Sequence, residues 1–228
     1  MTPASLADSV TDQTLRDAVD VALEWRASFQ RPLNTVTQGL RQFVRRELQV
    51  DAGTRLPVGQ RLKRLPTIID KLARMPTWNL TQLQDIGGCR AILADEAQTR
   101  AVLARITRNW QIKGQRDYIV EPKVTGYRAV HVVVINQGRL IEVQLRTESQ
   151  HEWAVAVERA SARLREGVKF GVGPPDLIRF FKMAAEGIAL TETGQEVDEG
   201  FWRDFQNLRE RVGQYFPHPL GPPGVGSS

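Results

Sequence analysis

Cysteine, histidine and long apolar runs are scarce in this sequence of 228 residues. Cys89 is the only cysteine, so no intrachain disulfide can form, and a cytoplasmic location is expected. The three histidines are too widely separated for the spacing of a zinc site. The most apolar stretch, 129–135, is broken by His131 and is far shorter than the roughly 20 residues of a membrane-spanning helix. The first ten residues have no basic or apolar segment, so no secretory signal is expected.

The formal charge is +5, and its distribution is more informative than its size. Between positions 41 and 74, nine cationic side chains are opposed by three acidic ones. Such a region suits nucleotide phosphates or nucleic acid, although a solvated helix face has the same composition. The cationic residues are Arg41, Arg45, Arg46, Arg55, Arg61, Lys63, Arg64, Lys71 and Arg74.

The spacing of apolar residues predicts an order of helices, then strands, then helices. Predicted helices cover 11–29, 33–48, 66–75, 95–109, a segment opened by a capping box of Ser149 and Glu152, 176–190 and 195–214. Predicted strands cover 85–94, 117–120, 127–135 and 141–147, with a loop at 54–65 and a hairpin turn at 136–139. This order indicates an α+β fold, in which helices wrap a mixed β-sheet of about five strands.

A single domain is expected over residues 1–215. Its parts are a helical N-terminal part (11–50), a catalytic core (55–167) and C-terminal helices (176–214). Residues 216–228 are rich in proline, glycine and serine, which predicts a disordered tail.

The segment 141–147 alternates strictly between apolar and polar residues, which is typical of a strand with one buried face. Successive side chains of a strand point to opposite faces, so Glu142, Gln144 and Arg146 would form one polar row. An acid, an amide and a guanidinium in one row are unusual for plain surface, although a solvated face remains the alternative.

The strand predicted at 85–94 has two glycines near its start. Asp85 and Arg90 differ in parity, so on a regular strand their side chains would point to opposite faces. A bulge at Gly87 and Gly88 would re-aim one of them. The alternative is that Asp85 is a turn or strand-entry residue without a role in chemistry.

Four segments of the chain, taken together and in this order, resemble the synthetase domain of the RelA/SpoT family. Proteins of that family make guanosine tetra- and pentaphosphate alarmones, and their fold is nucleotidyltransferase-like. The segments are Arg61-x-Lys63-x-x-x-Thr67-Ile68-x-x-Lys71-Leu72, Asp85-Ile-x-Gly88-x-Arg90, Lys123-x-x-Gly126-Tyr127-Arg128-x-x-His131, and Glu142-Val-Gln144-Leu-Arg146-Thr147 followed by Trp153.

The resemblance implies that a ribose 3′-hydroxyl attacks the β-phosphorus of ATP and that AMP leaves. The implied catalytic residues and Mg²⁺ ligands are Asp85 and Glu142, with Glu142 as the base. The implied ATP ligands are Arg61, Lys63, Arg74 and Arg90. The implied acceptor ligands are Lys123, Tyr127, Arg128, His131, Gln144 and Arg146.

Among these acceptor ligands, Tyr127 would stack on the acceptor base, and Arg128 would point outward from the opposite strand face. Several of the assignments have structural alternatives. His131 has the alternative of a structural role, Arg146 and Thr147 that of capping the next helix, and Trp153 fits a core position.

The acceptor is the least determined part of the assignment. Within the family, three segments are most similar to the toxic small synthetases of toxin–antitoxin modules: Asp85-Ile-Gly-Gly-Cys-Arg-Ala, Arg61-Leu-Lys-Arg-Leu-Pro and Gly126-Tyr-Arg-Ala-Val-His. The distinguishing positions are Gly87, Cys89 and Ala129. That similarity implies transfer to the 3′-hydroxyl of the tRNA CCA end, inhibition of translation and a protein antitoxin as partner. Alarmone synthesis from GDP, GTP or adenine nucleotides is the alternative, and a non-catalytic tRNA-binding protein is a more remote one.

Overall fold

The computed structural model describes residues 12–216. The predicted cap Thr11 and, apart from Phe216, the predicted disordered tail at 216–228 lie outside the described residues. The chain packs into two compact units. The first unit comprises the described residues up to Ala91 together with Ala101–Gln115 and His131–Gln144; the second comprises Ile92–Arg100, Arg116–Val130 and the described residues from Leu145 onward.

The strands are β1 (Val58–Leu62), β2 (Gly87–Leu93), β3 (Ile112–Asp117), β4 (Val130–Asn136) and β5 (Arg139–Thr147). They form one sheet in the order β1–β2–β5–β4–β3. The prediction of an α+β fold with a mixed sheet of about five strands is therefore confirmed. The strand predicted at 141–147 is β5, and a two-residue turn at Gln137 and Gly138, both with positive φ, joins it to β4 as predicted.

Two strands differ from the sequence prediction because both are edge strands. β1 lies inside the predicted loop 54–65. β3, at Ile112–Asp117, occupies residues that were predicted as a loop (111–116) and shares only Asp117 with the strand predicted at 117–120. In β1 only Val58 is buried, and β3 has no fully buried residue. Backbone pairing on one side holds such strands, so they have little of the apolar alternation on which prediction depends.

The start of β2 also corrects a prediction. Pairing with β1 advances one residue at a time from Val58 opposite Ala91 to Leu62 opposite Gly87, so the bulge expected at Gly87 and Gly88 is wrong. Asp85 lies in the turn before β2, where no bulge is needed to aim its side chain. Gly87 is instead closely packed: a Cβ there would lie 2.9 Å from Cδ1 of Ile141, and the end of that side chain would have to shift.

The helices are α1 (Asp12–Ala27), α2 (Gln30–Leu48), α3 (Leu65–Arg74), α4 (Glu96–Asn109), α5 (Glu148–Leu164), α6 (Pro175–Glu192) and α7 (Glu199–Val212). The sequence predicted that α2 begins at residue 33, after Pro32. The helix begins at Gln30 instead, and Pro32 lies in its first turn, where the missing N–H needs no partner. No helix between residues 12 and 216 has the length and apolarity to cross a membrane.

The first turn of α5 begins two residues earlier than predicted. Thr147 is its N-cap, and Gln150 completes the capping box that was assigned to Ser149 and Glu152. Glu192, at the end of α6, accepts hydrogen bonds from Thr147 Oγ1 and, at 2.9 Å, from Gln150 Nε2. This capping is the role that the sequence offered as an alternative for Thr147, and it fixes where β5 ends.

The core of the second unit is formed by α5, α6 and α7. Trp153, Phe181 and Leu208 are among its buried residues. The Trp153 indole N–H donates to the backbone oxygen of Phe181 at 2.8 Å, so the one polar atom of the ring is satisfied inside the core. The core assignment of Trp153 is therefore confirmed.

Cys89, in β2, is 2% exposed, and burial raises the pKa of its thiol to about 12 from an ordinary value of 9.0. Iodoacetamide should therefore leave the native protein unlabelled at about pH 8 and label it after unfolding.

Because the folded-state pKa is the higher one, the stability that the protonated thiol contributes is complete below pH 9.0 and is lost as the pH rises toward about 12. The urea midpoint of the wild type should therefore fall relative to that of Cys89→Ala between about pH 8 and about pH 10. Rapid labelling of the native protein by iodoacetamide at about pH 8 would contradict the burial and the raised pKa of the Cys89 thiol.

Candidate active site

Asp85 is held between two lysines in the first unit. Lys63 Nζ lies 2.5 Å from Asp85 Oδ2, and Lys71 Nζ lies 2.9 Å from Asp85 Oδ1. The local structure explains the arrangement: Lys63 directly follows β1, Lys71 lies in the last turn of α3, and Asp85 lies in the turn before β2. One carboxylate therefore holds two ammonium groups together, and a pair of cations of this kind suits a polyphosphate.

The electrostatics of Asp85 favour its charged form. Burial by itself would raise the pKa of this carboxyl, but hydrogen bonds and positive charge from Lys63 and Lys71 outweigh burial and hold the pKa below its usual value. Asp85 is therefore ionised at neutral pH. It is a quarter exposed, so solvent and ligands reach the group.

Glu142, on β5, is held on both of its carboxylate oxygens. His131 Nδ1 lies 2.9 Å from Glu142 Oε1, and Gln144 Nε2 donates to Oε2 at 2.7 Å. Burial would raise the pKa of Glu142, yet His131 and Gln144 hold it below the usual value, while the negative charge of Asp85 opposes them. β5 is the neighbour of β2 in the sheet, and a Cβ on Gly88 would lie 3.5 Å from the Glu142 backbone oxygen, so Asp85, which precedes β2, and Glu142 lie in adjacent parts of the first unit.

The polar row predicted along β5 is thus partly realised. Glu142 and Gln144 are neighbours on one strand face, and Ile141, Val143 and Leu145 are completely buried on the other. His131 reaches the same carboxylate from β4. Arg146, the third member of the row, is buried and interacts within the second unit.

The three arginines predicted to bind ATP also lie in the first unit. Arg61 is exposed on β1, and Arg90 is half-buried on β2. Their strand positions are close, because Arg61 is paired with Gly88 and Gly59 with Arg90. Arg74 ends α3, one turn after Lys71, and its Nε donates to the Asp70 backbone oxygen at 3.2 Å.

Tyr127 is the centre of an aromatic and cationic group in the second unit. Its hydroxyl accepts a hydrogen bond from Arg146 Nη2 at 2.7 Å, and its ring packs edge-on against Tyr118 with centroids 5.8 Å apart. The Lys123 ammonium lies 4.6 Å from the Tyr118 ring centroid and 5.0 Å from that of Tyr127. Four of the residues predicted to bind the acceptor therefore lie in this part of the chain: Lys123, Tyr127, Arg128 and Arg146.

Two details of the acceptor prediction are corrected. Tyr127 precedes β4 and lies in a loop, so it does not share a strand face with His131. Arg128 does not point outward; it is half-buried and donates from Nη1 to the Ile119 backbone oxygen at 2.8 Å. Gly126, with a φ of +90°, packs so closely that a Cβ would lie 2.7 Å from Cβ of Ala185, which fixes the loop on α6.

Sequence reasoning did not assign two residues that the structure brings to Asp85 and Lys63. Lys71 occurs in a quoted motif, and its place near the end of a predicted helix beside other cations was the available signal. Arg26, in α1, donates from Nε to the backbone oxygen of Lys63 at 2.7 Å. No sequence signal connects it with a residue 37 positions away.

Asp85 and Glu142 also fit a divalent cation. Mg²⁺ at nucleotide sites is usually bound by one or two carboxylates, with waters and substrate phosphates as the other ligands. Within residues 12–216, no cluster of three or more His, Cys, Asp and Glu side chains is able to hold a metal without such help. Two ionised carboxylates in adjacent parts of the first unit therefore match magnesium that arrives with a nucleotide.

Comparison with known proteins agrees with this geometry. Residues 60–167 match the family model described as a region found in RelA / SpoT proteins. This part of the chain is similar to a RelA/SpoT region, and it is called the matched region below. It contains both lysines, both carboxylates, His131 and the Tyr127 group, and it covers just under half of the sequence.

The matched region has relatives among known proteins and solved structures. GTP pyrophosphokinase YjbM of Bacillus subtilis is 31% identical over 106 residues, and the match covers 41% of this chain and 50% of that protein. The chain thus spans about half the length of this curated relative. A GTP pyrophosphokinase family protein from Streptococcus pneumoniae has a TM-score of 0.60 and 24% identity, covering 86% of this chain and 99% of that one.

A second similar structure is small alarmone synthetase 1 from Bacillus subtilis bound to its product pppGpp. Its TM-score is 0.58 at 20% identity, with 82% of this chain and 93% of that chain covered. At these identities the structural likeness establishes the fold of the matched region and its flanking helices. The chemistry has to be argued from the residues themselves.

Proposed function

We propose that this chain is a pyrophosphokinase that transfers the β,γ-pyrophosphoryl group of ATP to the 3′-hydroxyl of a guanosine nucleotide, GDP or GTP. The observation that carries the proposal is the arrangement of Asp85 between Lys63 and Lys71, in a part of the first unit adjacent to the ionised Glu142. A pair of cations beside a pair of carboxylates supplies what polyphosphate transfer needs.

In the proposed reaction, the acceptor 3′-oxygen forms a bond to the β-phosphorus, the bond from Pβ to the α,β-bridging oxygen breaks, and AMP leaves. Glu142 accepts the proton of the hydroxyl, since it is ionised and lies in a half-buried polar row. His131 and Gln144 hold its two oxygens and so orient it. Lys63 and Lys71 bind the phosphates of ATP, with Arg61, Arg74 and Arg90 as further cationic ligands.

Magnesium bound by Asp85 and Glu142 would neutralise charge on the phosphates. Lys63 and Lys71 also have a role in the absence of ATP. Their ammonium groups, 2.5 and 2.9 Å from the Asp85 oxygens, balance the charge of this carboxylate. Binding of a polyphosphate offers each ammonium group another anionic partner, which leaves the carboxylate available as a ligand.

The Tyr127 group is the proposed binding element for the acceptor base. An aromatic ring whose hydroxyl is fixed by Arg146 presents a preorganised surface for stacking. Tyr127→Ala should raise the KM for the acceptor about tenfold and leave the KM for ATP within about twofold. Steady-state kinetics with each substrate varied in turn measures the difference, and Val120→Ala, at an exposed position of the same part of the chain, is the control. Equal changes in both KM values would contradict the assignment.

Transfer to the 3′ end of tRNA is the second candidate. The motifs alone favoured it, and the exposed arginines Arg55, Arg61 and Arg64 of the first unit would suit phosphates of an acceptor stem. The guanosine nucleotide ranks first because the related proteins are named as GTP pyrophosphokinases and alarmone synthetases. A protein antitoxin remains a prediction that belongs to the tRNA candidate alone.

The test offers purified protein β-labelled ATP and magnesium with GDP, GTP, AMP and deacylated tRNA side by side. Label recovered in a 3′-diphosphate of GDP or GTP supports the first candidate. Label recovered in tRNA alone replaces the first candidate with the second. Binding of tRNA without label transfer to any acceptor would indicate a non-catalytic RNA-binding protein and overturn both.

A further inference from the structure

Lys63 is tied at both ends of its backbone. Its N–H donates to the Ile86 oxygen at 2.8 Å, next to Asp85, and its carbonyl oxygen accepts the 2.7 Å hydrogen bond from Arg26 Nε. The side chain of Lys63 is also nearly buried, at 9% exposure. The direction of its ammonium group therefore depends on the position of this short backbone segment.

We infer that Arg26 is a positioning residue for the polyphosphate-binding lysines, acting through the Lys63 carbonyl. The inference rests on the proposed function, since it assumes that Lys63 binds ATP. Arg26 contacts only the backbone of Lys63 in this interaction, so its role is to hold the segment in place rather than to bind substrate. A charged donor makes a stronger hydrogen bond to a carbonyl than a neutral one.

The same interaction acts on Lys71. Arg64, the residue after Lys63, is the N-cap of α3 and has an extended backbone, so the end of Lys63 sets where the helix begins. Lys71 lies on that helix and reaches Asp85 from it. α1 also packs against α3, so Arg26 joins two elements that already touch.

The corner between α1 and α2 is itself anchored, which makes it a firm support. Arg139, at the start of β5, stacks 4.2 Å from the Trp25 ring centroid and donates to Ser28 Oγ at 2.8 Å. Phe29 is 2% exposed and packs near Gly87 of β2. Arg26 thus lies in a segment fixed to the strands that bear Glu142 and follow Asp85.

Arg26→Gln should weaken binding of α,β-methylene-ATP about tenfold and raise the KM for ATP by a similar factor, as expected for loss of one hydrogen bond of ordinary strength. The KM for the acceptor should change less than about twofold. Arg26→Lys keeps a cationic donor and should recover most of the affinity. Arg16→Gln, on the exposed face of the same helix, is the matched control and should behave as wild type.

A mutant cycle in the background of Lys63→Met with Lys71→Met separates positioning of the two ammonium groups from a general structural effect. If Arg26 acts through these lysines, Arg26→Gln should change the affinity for α,β-methylene-ATP less than about twofold in that background. A tenfold effect in that background, an equal rise in both KM values, or full affinity of Arg26→Gln in an active enzyme would overturn the inference and leave the proposed function standing. A wild-type protein that neither binds the analogue nor transfers pyrophosphate would overturn both.

Discussion

Glu142→Gln should lower kcat for pyrophosphoryl transfer about 10³-fold while the protein stays folded. The substitution keeps the size of the side chain and its contact with Gln144, but the amide has no free electron pair of the basicity needed to accept the hydroxyl proton. The pKa of Glu142 lies below its usual value because His131 and Gln144 outweigh burial, so the wild-type group is a carboxylate ready to accept a proton at neutral pH.

The control for this variant is Glu148→Gln, a substitution of the same kind at an exposed position in the first turn of α5. It should retain wild-type kcat. Binding of α,β-methylene-ATP to Glu142→Gln, measured by calorimetry, should remain detectable and show that the donor site is intact. A Glu142→Gln enzyme with more than about a tenth of wild-type kcat would remove Glu142 from the role of base.

Asp85→Asn should lower kcat by at least about 10²-fold, the loss typical for removal of one preorganised electrostatic group. Two effects combine, since the variant loses a carboxylate that fits magnesium and the charge that holds Lys63 and Lys71 in place. The two ammonium groups are left with a neutral partner, so the free energy of unfolding should also fall by about 2 kcal/mol.

Asp70→Asn is the matched control, because Asp70 is an exposed aspartate on α3 whose backbone oxygen, not its carboxylate, accepts from Arg74. Its kcat and its urea midpoint should equal those of wild type. If Asp85→Asn keeps wild-type activity, the carboxylate pair is not the catalytic centre. If it loses activity with an unchanged urea midpoint, its ion pairs with the lysines are energetically neutral.

The part of the site on β5 could be predicted because one strand contains its own signal. Alternation alone puts Ile141, Val143 and Leu145 in the core and leaves Glu142 and Gln144 on one face, and the structure has them there. Asp85 was found by its type and motif. The ion pairs that define it were not, because they connect residues 14 and 22 positions apart through a turn and a helix.

Edge strands and loops were the regions where prediction failed. β1 follows a proline and has one buried residue, so nothing in its sequence distinguishes it from the loop that was expected. Tyr127 lies three residues before β4 and continues its alternating pattern, yet Gly126 and its close packing on Ala185 hold Tyr127 in a loop. The proposed role of Arg26 depends on a hydrogen bond to the backbone oxygen of Lys63. Every residue has a backbone oxygen, so the sequence does not indicate which one accepts such a bond.

We propose that the two carboxylates and two lysines of the first unit direct pyrophosphoryl rather than phosphoryl transfer. Mass spectrometry of the nucleotides formed from ATP and GDP, or from ATP and GTP, tests this proposal most directly, with Glu142→Gln assayed in parallel. We expect AMP in equal amount to an acceptor that has gained a 3′-diphosphate, and formation of both products about 10³-fold more slowly by the variant. Formation of ADP with a singly phosphorylated acceptor would contradict the proposal. So would unchanged nucleotides in the presence of a wild-type protein that binds ATP.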